Sequence, residues 1–396
     1  HQKSNEFRIT SQFSDKFEFV AGIYDWEVDY TQRWDVGDLH YRLSQLGLPY
    51  PGYTPTTLNS NGQSQVTESI AIFFSGDWHI NDKLTLTAGF RWTEEEKNFI
   101  GGDRGMPWDP QSPDGDIIPN TIPPLFNPRP YQGKWDETTP KIGIRYQPND
   151  DLMFYASYSE GFKSGGFFGR QANFNIDPSY EPEYLKNIEL GWKSTLMDGR
   201  MIFNGSIFEA KYEDKQESIL IPVDLSNVAT VVRNASSLDM TGLELELVYQ
   251  ISESWDIMVN AGFMDTEYAD YFADLTGDQI VTDNSGLTPR NTPDSTYGAT
   301  TSYVTPLGNG ELKTRLSYRF RDSVESDASN NSLGTLDTLE DLSATISFSM
   351  DEYTISIYGR NLTDEREQRW STIDPLTARG WWNEGTSYGI EFSASF

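Results

Sequence analysis

The 396-residue chain has no cysteine and only three histidines, His1, His40 and His79, spaced far apart in sequence. Disulfide scaffolds, thiolate metal sites and cysteine nucleophiles are thereby excluded, and no metal-ligating motif can be assembled from neighbouring residues. Basic residues are scarce too: 30 Lys and Arg stand against 60 Asp and Glu, a net charge of −30. That balance leaves no cationic footprint for a nucleic-acid backbone. Also missing is any apolar run of about 18 residues, which rules out helical membrane spans but not a β-barrel, where only alternate residues need be apolar.

Aromatics are plentiful: 11 Trp, 21 Tyr and 22 Phe. The dominant pattern is alternation of apolar and polar residues in segments of about ten, punctuated by short polar turns. Ile70, Ile72, Phe74, Trp78 and Ile80 share one face, with Ser69, Ser75, Asp77 and His79 on the other; Asn81-Asp82-Lys83 turns the chain, and Leu84, Leu86, Ala88, Phe90 and Trp92 continue the apolar face. The pattern recurs at Ile142–Tyr158, Ile188–Leu196, Leu243–Phe263, Leu312–Phe320 and Leu342–Met350.

Alternation alone also suits a soluble β-sandwich, but the connections separate the two. Short turns follow Phe13, Ile80, Gln147, Leu196, Ile251, Thr305 and Met350, whereas the stretches 27–65, 97–134, 163–180, 215–228, 267–293, 322–335 and 363–383 read as long loops rich in Gly, Pro, Asn and Asp. Strict succession of short and long connections is the pattern of an outer-membrane barrel, with tight periplasmic turns and long extracellular loops. The expected fold is therefore all-β, a transmembrane antiparallel β-barrel with about fifteen strands in this chain. An odd count does not close a bacterial barrel, so residues 1–396 are expected to be the C-terminal part of a single barrel domain that lacks its first strands.

The last strand carries Tyr388, Ile390, Phe392 and Phe396 at every second position or its continuation. Together with Phe154–Phe167, Tyr180–Glu183, Asn187–Lys193, Phe17–Tyr24, Leu84–Arg91 and Tyr358–Asp364, this ending resembles the TonB-dependent outer-membrane receptors. The resemblance implies a barrel of about 22 strands filled by a plug, of which no plug or coupling segment is recognisable here. It also implies energy-coupled uptake of a scarce ligand, an iron–siderophore complex first among them, with the periplasmic protein TonB, the barrel-assembly machinery, and outer-membrane lipid and lipopolysaccharide as partners. The terminal residues would then be the assembly signal. A passive porin-like channel with long loops is the alternative.

Inward positions include Arg91, Arg145, Lys193, Arg315, Arg319, Arg360, Glu244 and Glu246, which either form a solvated wall or face a plug and a charged ligand. Trp34, Trp108, Tyr131 and Phe168 lie in the long connections and are the candidate ligand contacts. The acidic stretch Asp274–Asp283 has Thr276 and Gln279 where a calcium loop wants oxygen-rich and glycine positions, and reads as a solvated loop. No catalytic constellation, metal site or cofactor motif is found, so no enzymatic role is expected.

Overall fold

The computed structural model describes residues 1–35, 57–107, 126–169, 177–224, 227–275, 280–374 and 377–395. Fifteen strands form one continuous antiparallel sheet in which each neighbours the next in sequence. They are β1 (Gln2–Ser14), β2 (Phe17–Asp35), β3 (Thr57–Asn81), β4 (Leu84–Pro107), β5 (Phe126–Asn149), β6 (Leu152–Lys163), β7 (Glu183–Leu196) and β8 (Met201–Asp224). The remainder are β9 (Asn227–Ser252), β10 (Trp255–Ala273), β11 (Ser295–Leu307), β12 (Gly310–Arg321), β13 (Leu339–Met350), β14 (Tyr353–Arg360) and β15 (Ser387–Ala394). Every strand but the outermost two exchanges backbone hydrogen bonds on both sides, which is what a chain crossing a bilayer must do with its peptide groups.

The alternation in the sequence becomes a division of faces. On one face Ile9, Ile23, Ile72, Phe90, Ile142, Leu190, Ile207, Leu316, Ile346 and Ile357 are exposed large apolar side chains. They are aligned by register, as in Ile23↔Ile72, Ile72↔Trp92 and Ile346↔Ile357. In water such a surface would aggregate; against lipid it is the stable choice. Phe13, Trp78, Tyr146, Trp255, Tyr303 and Tyr353 are exposed on this face close to the short turns, where an aromatic girdle meets the membrane interface. The turns themselves use left-handed backbone at Asp198, Gly199, Gly308 and Asp351.

The other face is polar and hydrogen-bonded across strands. His79 Nδ1 lies 3.0 Å from Thr85 Oγ1, Arg145 donates to the same hydroxyl at 3.3 Å, Asn204 donates to Glu246 at 2.9 Å, and Ser347 and Ser356 are 2.8 Å apart. This is the wall of a polar lumen.

At the long-loop end the strands run beyond the apolar band, and here the loop expectation is corrected. Residues 215–224 and 227–228 belong to the paired hairpin β8–β9, and β4 and β5 stay paired from Leu84↔Tyr146 to Asp103↔Phe126. Outside lipid, polar residues on both faces cost nothing, so ladder pairing continues where the hydropathic alternation has ended.

Candidate functional site

The long-loop ends of β4 and β5 carry an aromatic nest on the lumen side. Phe99 on β4 faces Tyr131 on β5 across the ladder, and Phe167 from the β6–β7 connection stacks on Phe99 with ring centroids 5.4 Å apart. Tyr131 and Trp135 flank Phe167 at 5.8 and 6.2 Å. Phe99 and Phe167 are buried, 1% and 8% exposed, while Tyr131 and Trp135 keep part of their surface open. An apolar anchor with amphipathic aromatics at its rim is a stable base for recognising a ligand that is part ring and part polar.

The nest is fixed by polar ties. Lys97 pairs with Glu95 at 2.9 Å, donates to Ser164 Oγ at 2.8 Å and to the Gly165 carbonyl at 2.7 Å, and sits 5.6 Å from the Trp135 ring centroid. Its charge is thus spent on holding the 163–168 connection against the wall. Trp135 Nε1 donates to Glu181 at 3.0 Å. Gln216, buried on β8, donates to the carbonyls of Ser164 and Glu181, both at 3.0 Å, and Asn234 on β9 donates to Glu181 O and Asp214 O. The β6–β7 connection is therefore clamped between the nest and the β8–β9 hairpin. Near its base, two hydrogen bonds from Ser179 hold the Asp177 carboxyl below the ordinary range, and burial pushes the Tyr180 phenol up.

The sequence-derived candidates fall in three places. Tyr131 lies in the nest, though on a strand instead of a loop. Phe168 is next to the nest residue Phe167, its amide donating to Pro178 O at 2.8 Å, while Phe167 makes the ring contacts. Trp34 is on β2, a strand position again, and Trp108 and Phe396 lie outside the described residues. The charged wall residues lie on the polar face: the Arg91 guanidinium is 5.7 and 5.9 Å from the ring centroids of Tyr24 and Phe73, Arg319 pairs with Asp341 at 2.9 Å, and Arg360 lies 5.1 Å from the Tyr358 ring centroid. Glu244, Lys193 and Arg315 share that face by alternation with Leu243, Leu190 and Leu316. Tyr388, Ile390 and Phe392 are exposed on the apolar face of β15, where Phe392 stacks on Tyr353 at 5.9 Å.

Sequence reasoning missed Phe99, Lys97, Glu217 and Arg290. The first two were legible only as alternate positions on a strand once β4 was carried past Glu96; the last two meet only through the fold, at 3.4 Å. Among the described residues no group of three or more His, Cys, Asp or Glu side chains is disposed to hold a metal ion. His79 has Thr85 on one ring nitrogen and Glu18 Oε1 3.5 Å from the other, but the Thr85 side chain is buried under Arg145, so this array braces the wall.

Comparison with known proteins gives the wall a family. The pesticin receptor of Yersinia pestis is 23% identical over 361 residues, 89% of this chain and 47% of its own length, and the ferric-pyoverdine 358 receptor of Pseudomonas putida is 30% identical over 133 residues, 33% of this chain and 16% of its own. The chain thus spans about half the length, or less, of the curated relatives it matches. Among solved structures, the ferric yersiniabactin uptake receptor FyuA of Yersinia pestis superposes with a TM-score of 0.76 at 18% identity, over 100% of this chain and 54% of that one. The siderophore receptor PiuA of Acinetobacter baumannii superposes with a TM-score of 0.70 at 17% identity, over 99% and 55%. The β-barrel model of the TonB-dependent receptor-like family matches residues 2–362, so the chain belongs to that family of outer-membrane receptors.

Proposed function

We propose that this chain is the C-terminal portion of the wall of an energy-coupled outer-membrane receptor that takes up a scarce ligand, an iron–siderophore complex. The observation that carries the reading is the clamped aromatic nest at the extracellular end of a polar-lined, lipid-facing wall: a fixed recognition surface above a passage. Relatives named for ferric pyoverdine and ferric yersiniabactin support the ligand class. Iron is cargo here, held by its organic chelator, and the protein's part is recognition and passage, with no enzymatic step.

The sheet has two unpaired edges among the described residues, β1 and β15. A membrane barrel closes on itself because lipid cannot satisfy an edge. Seven further strands would bring fifteen to the 22 of the plugged outer-membrane transporters. In this reading a plug fills the lumen, with Arg91, Arg145, Lys193, Arg315, Arg319, Arg360, Glu244 and Glu246 facing it or the passing ligand, and TonB pulls on it from the periplasm. Tyr388, Ile390, Phe392 and Phe396 present the signal read by the barrel-assembly machinery, and lipid and lipopolysaccharide surround the apolar face. Tyr131, Phe168, Trp34 and Trp108 supply ligand contacts.

The test is uptake of a panel of iron-55-labelled siderophore complexes by iron-starved cells carrying the full-length protein, with and without a protonophore. Saturable uptake of one class that collapses with the proton gradient is expected. Unselective entry of small solutes, indifferent to the gradient, would instead make the protein a porin-like channel.

A further inference from the structure

Among the described residues one carboxylate is fully buried, and the reading above assigns it no role. Glu217, near the tip of the β8–β9 hairpin, is 0% exposed. Around it lies the apolar cluster Ile219, Val231, Leu238, Tyr268, Tyr271 and Ala273, with Leu287 packed alongside. Two cations reach it: Lys215 on its own strand, and Arg290, whose Nε is 3.4 Å from Oε2 and which arrives from the β10–β11 connection. The Tyr268 hydroxyl donates to Oε1 at 3.5 Å, and the rings of Tyr268 and Tyr271 stack at 4.6 Å.

This closed arrangement is not one of maximal electrostatic comfort. Removing ions from water is costly, and a pair regains that cost only with full hydrogen bonding. The hydroxyls of Ser236 and Tyr271, 2% and 0% exposed residues, have no hydrogen-bond partner among the described residues. Apolar packing closes the cluster, while its charges and hydroxyls would gain hydration on opening, so the ion pair is what favours the closed arrangement.

The arginine side of the pair belongs to a larger body. Thr288 N donates to Asn330 Oδ1 at 2.7 Å, Asn330 Nδ2 returns a bond to Thr288 O at 2.9 Å, and Asn291 N donates to Glu325 O at 2.9 Å. Residues 322–338 are folded on themselves by the ladder Val324↔Leu336, Glu325↔Thr335, and Ala328 enters the Glu217 cluster. Residues 280–294 are seated on the end of β10 through Phe272↔Asp283 and the bond from Asn284 N to Tyr271 O.

We infer that residues 280–294 and 322–338 form a single lid at the mouth, latched to the β8–β9 hairpin by the Arg290–Glu217 pair and coupled internally through Asn330. The lid rests on the reading of this end as a ligand entrance, but the latch is a property of the ligand-free protein. Breaking the pair releases both segments, including the one that has no ion pair with Glu217.

The test is amide hydrogen exchange on the full-length protein in lipid nanodiscs without ligand, comparing wild type with Arg290→Met and Asn330→Gly. Asn330 has a φ of 51°, which glycine adopts freely, so that variant removes the two bonds to Thr288 and the weaker one to Asp327 O without strain. Arg290→Met should speed exchange about tenfold in both 280–294 and 322–338. Asn330→Gly should speed it across 322–338 and, within 280–294, only at the Thr288 amide that loses its acceptor. Acceleration confined to 280–294 in Arg290→Met would overturn the single lid; no acceleration in either would overturn the latch. Siderophore uptake is scored separately: its failure with the exchange pattern intact removes the transport reading and leaves the lid, and the converse removes the lid.

Discussion

Tyr358 lies across the backbone of Gly389 on the neighbouring strand, so closely that a β-carbon at position 389 would collide with the phenol ring. The two are direct cross-strand partners on the lumen face, and the Arg360 guanidinium lies over the same ring, 5.1 Å from its centroid. Gly389 thus leaves room for the aromatic that covers the last strand. Gly389→Val should lower barrel stability by about 1–3 kcal/mol, the usual cost of overpacking. Urea unfolding of the full-length protein in lipid bilayers measures it, and adding Tyr358→Ser to Gly389→Val should recover most of the loss. A Gly389→Val variant as stable as wild type would mean that the ring moves aside freely.

The division of faces makes a second prediction. Leu190 is 53% exposed on the apolar face, and Ser317 lies on the polar face with its hydroxyl 3.1 Å from Thr300. Leu190→Arg should cost about 2–4 kcal/mol near the bilayer midplane. Ser317→Arg, which points a guanidinium into a polar lumen, should cost well under half as much. The same unfolding assay decides, and equal losses would reverse the assignment of the lipid face.

How much of this could be read in advance depends on where a residue lies relative to lipid. Between Ile70 and Trp92 each alternate position must be apolar, so strands, turns and facing were legible from sequence alone. Beyond the lipid the constraint lapses. The stretch 97–134 reads as a long loop, yet β4 continues to Pro107 and β5 starts at Phe126, and at this end Glu94, Glu95 and Glu96 pair with Lys134 at 2.8 Å, Lys97 at 2.9 Å and Gln132 at 2.7 Å on alternating faces. Tyr131 was identifiable as an aromatic worth naming, but its partners Phe99 and Phe167 come from other chain segments. Glu217 and Arg290 were two charges among ninety; only the folded mouth distinguishes a buried pair from a solvated one.

Acidification should loosen the entry to the last strand. Asp364 accepts hydrogen bonds from Thr386 N at 3.0 Å and Arg366 at 3.1 Å, tying the chain after β14 to the residue that precedes β15. The Thr386 amide first, and the Arg366 charge second, hold its carboxyl below the usual range. A carboxylate depressed on folding contributes stability that is present above its unfolded value, about 3.9, and is lost as pH falls through the folded one. Local exchange at Thr386 should therefore rise, relative to the intrinsic rate, only below about pH 4. In Asp364→Asn, tolerated at the φ of 54° here, that dependence should vanish.

The nest separates recognition from architecture. Phe167 is buried against Phe99, so Phe167→Ala leaves a cavity and should destabilise the β6–β7 connection by about 3–5 kcal/mol, exposing it to protease. Trp135 is only half-buried, and its ties to Lys97 and Glu181 are peripheral to the ring stack. Trp135→Phe keeps a ring at this position but gives up the bond to Glu181 and part of the open aromatic surface; Lys97, Gln216 and Asn234 still hold the connection, so it should stay protease-resistant while ligand affinity falls up to about tenfold, the value of an aromatic contact. Titrating the full-length protein with the siderophore complex selected by the uptake panel, alongside limited proteolysis, reads both effects. Loss of affinity in Phe167→Ala without a matching loss in Trp135→Phe would make the nest a scaffold for loops and move the ligand contacts to another part of the mouth.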